Sequence, residues 1–164
     1  YKVISRAGDK MSDGLFVPSL PDGMASFKGD NDRTIIIRNH ELNTDSDPAA
    51  GPFGKKNQLL ERFDKSYFYD SGSDDGPALG GTTTIIFNTK TQQIEKQYLS
   101  LAGTLRNCAG GPTPWNSHTA LFLQCNTLLA DRGYSIYRTP IRVESAIRCG
   151  FRYQVRRMQT AARE

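Results

Sequence analysis

Cysteine is scarce in this chain. Cys108, Cys125 and Cys149 are the only three, they lie far apart, and they form no CxxC pair. That excludes the usual zinc-binding spacings, and the spacing selects no disulfide pair. Trp115 is the single tryptophan, and His40 and His118 are the only histidines. No apolar run approaches the roughly 20 residues that a membrane-crossing helix needs, so no membrane partner is expected. The phosphate-binding GxxxxGK[ST] loop, the GxGxxG dinucleotide fingerprint, the GxSxG elbow and HExxH are all missing. No signal-peptide pattern opens the chain. It begins at Tyr1 and reads as a mature form or a fragment.

What is present describes one ordinary domain. The 164 residues are 37% hydrophobic and 23% charged, which suits a soluble globular protein with a sizeable core. The net charge of +4 is unevenly placed. Residues 1–116 hold 13 Lys and Arg against 14 Asp and Glu, whereas 117–164 hold 8 against 3. The eight basic residues of the tail are all arginine. Such a tail can serve an anionic surface. Its arginines form no compact run, so no specific nucleic-acid binding is expected.

The pattern along the chain is mostly β. Lys2–Ser5 is a short strand candidate, and Pro21–Gly23 (PDG) is a turn signal. Arg33–Asn39 (RTIIIRN) is the clearest strand, its three isoleucines predicting burial on both faces. Asn43–Gly54 reads as loop, "NQLLERFDKSYF" as a helical turn or irregular segment, and Asp70–Gly81 as loop. Thr82–Asn88 and Gln93–Leu101 read as a hairpin around "TKTQ". In the tail, Thr119–Ala130 fits a helix or a strand, and Gly133–Arg138 a strand. The last twenty residues fit a basic helix or a disordered segment. Short strands and long loops suit an all-β sandwich or propeller.

Three places could carry chemistry. Asn43, Asp45 and Asp47 alternate as in a calcium loop, but Pro48 stands where a glycine is required and no closing glutamate follows. A solvated acidic loop is the better reading there, and also for Asp70, Asp74 and Asp75. Asn39-His40-Glu41 sets an amide, an imidazole and a carboxylate at a strand end. Strand alternation points His40 away from Asn39 and Glu41. Two oxygens on one face suit calcium, and His40 suits a transition metal or proton transfer; a hydrogen-bonded strand-end turn is the other reading. Finally, Asn107 and Cys108 precede Gly110-Gly111. A strand ending in Cys-Ala-Gly-Gly lets backbone approach a ligand, and a thiolate suits iron or zinc. A small buried cysteine in a tight turn is the alternative.

Several blocks together resemble one family. "DKMSDGLFVPSLPDGMASF", "IIIRNHEL" and "GGTTTIIFNTKTQQIEKQYLSLAGTLRNCAGGPTPW", with their spacing, resemble the PhoX-type alkaline phosphatases over Tyr1 to about Asn116. The resemblance implies a six-bladed β-propeller with its site at the mouth of the central channel. It implies phosphomonoester hydrolysis with a cofactor of ferric iron and calcium. It also implies export by the twin-arginine route to the periplasm or beyond. Cys108 matches the family's iron-binding cysteine. Asn39, His40, Glu41 and Asn107 match blocks near the same channel: Asn39 and Glu41 as metal-ligand candidates, His40 and Asn107 as substrate-pocket candidates. No catalytic residue is assigned.

After Trp115 the chain departs from that pattern. Where the family carries an acidic "TCEE" pair, this chain reads "NSHTALFLQCN"; "LLADRGYSI" then resembles a later family strand, and nothing matches beyond Arg138. At about 40–50 residues per blade, 164 residues supply at most three or four blades. The expectation is therefore an all-β, incomplete β-propeller with long loops over 1–116 and a divergent basic tail over 117–164. A shifted reading frame or a genuinely divergent tail accounts for the change. Functionally, the chain reads as part of a metal-dependent phosphomonoesterase, inactive alone because later ligands are missing. The alternative is a non-catalytic β module or truncated product with an anion-binding tail. Oligomeric state is not legible in the sequence.

Overall fold

The computed structural model describes residues 1–70, 77–112, 120–126 and 139–143. Four strands form one antiparallel sheet: β1 (Pro21–Lys28), β2 (Arg33–His40), β3 (Gly80–Asn88) and β4 (Gln93–Thr104), neighbours in sequence order. A second antiparallel sheet holds β5 (Asn107–Pro112), β6 (Ala120–Asn126) and β7 (Thr139–Val143), also in sequence order. There is no α-helix among the described residues, only three 3₁₀ turns in the long β2–β3 connection. The chain is therefore mainly β.

Residue patterns explain most of these elements. β2 is rich in β-branched residues and ends within "NHE", at His40. β3 and β4 close a hairpin through Thr89–Gln92, where Gln92 takes the left-handed backbone (φ 58). "NQLLERFDKSYF" becomes two 3₁₀ turns, Leu60–Arg62 and Lys65–Tyr67. Asp64 caps the second by accepting from Ser66 N at 2.9 Å.

Several expectations are corrected. Lys2–Ser5 is irregular, not a strand. Pro21–Gly23 is not a turn but the start of β1, where proline is tolerated at a strand's first position. Its turn character survives as an irregularity in register between Pro21 and Met24. The three isoleucines are not equally buried: Ile37 is fully buried, while Ile35 and Ile36 are half-buried. Within Thr119–Ala130, β6 settles the choice between helix and strand. Gly133–Arg138, the central part of the Asp70–Gly81 loop and the last twenty residues lie outside the described residues.

Each face of the first sheet is covered differently. On the side of Leu99, the N-terminal segment and the β2–β3 connection bring Met11, Leu15, Val17, Leu42, Phe53 and Phe68 into one core. Phe53, Phe63 and Phe68 pack ring against ring at 5.3–5.8 Å. On the other side, Ile37 and Ala25 form a small core with Phe27 and Ile35. β5 packs against β1 and β2. The outer edge of β4 is capped by the N-terminal segment: Ser12 N donates to Gln97 O (2.8 Å), Ser12 Oγ accepts from Gln97 N (3.0 Å), and Asp13 accepts from Leu99 N (2.8 Å). Those bonds occupy groups that would otherwise invite another strand.

Candidate functional site

β2 runs antiparallel to β3, so its last residue pairs with one of the first of β3: His40 lies opposite Gly81, and Asn39 opposite Thr82. β4 ends beside the same point, with Ala102 opposite Gly81 and Thr104 opposite Gly80. The chain then turns through Leu105 and Arg106 into β5. This topology brings two sequence blocks, Asn39–Glu41 and Asn107–Cys108, to one end of the sheet.

Close approach here depends on Gly80 and Gly81. A Cβ on Gly81 would stand 2.1 Å from Leu101 O, and one on Gly80 would stand 2.3 Å from Thr104 O. Only glycine admits the neighbouring backbone at those distances.

Asn39 is fully buried and its side-chain amide donates to the carbonyl of Cys108 at 3.3 Å. Asn107 is also fully buried and donates to Gly81 O at 2.9 Å. Together these bonds tie the beginning of β5 to β2 and β3. Cys108 is half-buried. It stands second in β5, so it opens a strand, which corrects the sequence reading of a strand that ends in Cys-Ala-Gly-Gly.

His40 points the other way, as alternation requires. It is fully buried, with Nδ1 3.0 Å from Ser19 O and Nε2 2.9 Å from Thr83 Oγ1. A carbonyl can only accept, so Nδ1 carries the proton and Nε2 accepts from the threonine hydroxyl. Burial first, and the nearby Arg38 cation second, lower the imidazole pKa to about 4, against hydrogen bonds that the ring makes to the backbone of Ser19 and Pro18. His40 is therefore neutral at physiological pH, with both nitrogens held inside the protein.

Glu41 lies just beyond β2, half-buried, with its backbone N–H on Leu20 O at 2.9 Å. The alternation that would align it with Asn39 stops at His40. The Asn43–Asp47 loop behaves as a local turn: Ser46 Oγ accepts from Asn43 N, and Asp47 caps the following 3₁₀ turn. Among the described residues, no three His, Cys, Asp or Glu side chains gather to hold a metal ion.

Sequence reasoning missed the residues that hold this arrangement: Gly81, Thr83 and Ser19. The Gly-Gly-Thr-Thr-Thr run was the available signal, since small and hydroxyl-bearing residues opposite a polar strand end can supply close contacts and bonds.

No curated protein and no solved structure matches the chain. The family model for alkaline phosphatase PhoX does match, over residues 1–93 and 75–127. That range takes in both blocks that meet at the end of the sheet, and it extends past residue 116 through β6. On that match, the chain belongs to the PhoX alkaline phosphatase family.

Proposed function

We propose that this chain supplies one wall of a phosphomonoesterase site, with Cys108 as an iron ligand and Asn39 and Glu41 beside the metals, at the mouth of a β-propeller channel. Family membership supports the activity class. The observation that carries the site is the Asn39–Cys108 hydrogen bond, which joins family-matching blocks 69 residues apart. The propeller reading rests on a four-stranded antiparallel meander followed by a second sheet whose first strand, β5, packs against β1. Successive blades around a channel place their first strands side by side in this way.

The donor types suit the implied metals: a thiolate for ferric iron, carboxylate and amide oxygens for calcium. When bound, such metals polarise phosphoryl oxygens. Among the described residues no three His, Cys, Asp or Glu side chains gather, so those residues do not by themselves close an iron–calcium cluster. The polypeptide alone is thus expected to lack turnover.

The chain's own residues act by placement. Asn39 fixes the backbone carbonyl of Cys108, and Asn107 ties the start of β5 to Gly81. His40 is assigned to positioning rather than to a substrate pocket, because its full burial and two internal bonds leave it no approach to substrate. As in other members of an exported family, the place of action is periplasmic or extracellular.

The test is metal loading with ferric iron and calcium, followed by hydrolysis of a generic phosphomonoester. Iron uptake that falls in Cys108→Ala, with no hydrolysis above a metal blank, supports the reading. Uptake indifferent to that change contradicts the role of Cys108, and hydrolysis by the chain alone contradicts its incompleteness.

A further inference from the structure

Arg38 is a buried cation with no carboxylate paired to it among the described residues. It lies on β2 two residues before His40, and alternation puts both on the face turned away from Asn39 and Cys108. Only 7% of the residue is exposed. Its Nη2 donates to Ser5 Oγ at 3.1 Å, and its Nε has no partner. Gln97, equally buried, crosses from β4 and donates to the same Ser5 oxygen at 3.0 Å. The acids of the covering segment are engaged elsewhere: Asp9 accepts from Arg6 N, and Asp13 accepts from Leu15 N and Leu99 N. Among the described residues the one ion pair is Arg33 with Glu95, at the far end of β2.

A guanidinium cannot shed its proton to escape burial. An interior charge without a counter-charge is costly, and a sealed, unbonded N–H on it points to a bound water or ion. A cation among N–H and O–H donors favours an anion over a water. Ser5, half-buried, lies over Arg38 and Gln97 and takes a bond from each, which leaves room for a monatomic anion rather than a larger one.

We propose that Arg38, with Gln97 and Ser5, forms a chloride site beneath the N-terminal segment, separate from the end of the sheet that holds Cys108. The anion takes the Nε proton of Arg38 and pins Tyr1–Val17 over β4. This inference stands apart from the phosphatase reading, since it concerns the opposite face and a different ligand.

The experiment follows thermal unfolding of the whole chain at constant ionic strength while gluconate is replaced by chloride. The expected Tm rises with the logarithm of chloride concentration above the Kd, by about 4 °C at ten times the Kd, and the rise disappears in Arg38→Met. An equal rise in both proteins, no rise at all, or a rise given by inorganic phosphate and not by chloride would overturn the proposal. If Arg38→Met does not fold, ³⁵Cl line broadening decides: broadening by the native chain that bromide reverses and Gln97→Leu weakens supports the site. Absence of broadening, or broadening that Gln97→Leu leaves unchanged, overturns it.

Discussion

The side-chain amide of Asn39 donates to the backbone carbonyl of Cys108 at 3.3 Å, across 69 residues of sequence. One bond thus links the end of β2 to the beginning of β5, and so the first sheet to the second. Asn39→Ala removes the donor inside a fully buried site and is expected to cost about 1–2 kcal/mol of stability. It should also loosen Cys108. Alkylation of that thiol, followed by mass spectrometry of the peptide, should be faster in the variant than in the native chain at equal folded fraction.

The buried His40 makes stability depend on pH in a defined direction. Its pKa falls from the ordinary 6.5 to about 4 on folding, so the unfolded chain binds a proton that the folded chain refuses. Above about pH 6.5 neither form is protonated and the group has no effect. As pH falls from 6.5 toward 4, the unfolded state is favoured, with a total loss of about 3 kcal/mol; below 4 the loss levels off. Denaturant unfolding at pH 7, 6, 5 and 4 measures it. His40→Gln should lack this part of the pH dependence, whatever its stability at pH 7.

Gly81 is needed for the tight end of the sheet. The Cβ of Gly81→Ala would lie 2.1 Å from Leu101 O, a backbone atom that cannot swing aside. The expected cost is about 2–4 kcal/mol. Thermal unfolding would record it as a lowered Tm, with Gly29→Ala as a milder comparison, since there the nearest atom is 3.1 Å away on the Arg33 side chain.

Asp13 protects the β4 edge by accepting from Leu99 N and Leu15 N at 2.8 and 3.0 Å. Asp13→Ala leaves both donors without this acceptor, for a cost of about 1–3 kcal/mol. It also opens an edge to intermolecular pairing. Light scattering at rising protein concentration should show earlier aggregation than in the native chain.

The parts legible in the sequence were those fixed by local pattern. "RTIIIRN" and the Thr82–Leu101 hairpin announce β2, β3 and β4 through β-branched runs and a short polar turn. β1 was hidden because Pro21-Asp22-Gly23 is turn chemistry, and pairing with β2 overrides it. The opposite facing of His40 and Asn39 was legible from alternation alone. What each touches was not, since Thr83, Ser19 and Cys108 lie far off in sequence and meet these residues only through sheet register and chain reversal. Arg38 drew no attention in the sequence: an arginine after three isoleucines reads as the polar end of a strand, and only the covering N-terminal segment buries it.

The central claim is that Cys108 presents a thiolate to iron. The most direct measurement is the visible absorption of the chain titrated with ferric iron in the presence of calcium. A thiolate-to-iron charge-transfer band that grows to a stoichiometric end point and is absent from Cys108→Ser is the predicted result. No band, or one of equal strength in Cys108→Ser, would contradict it.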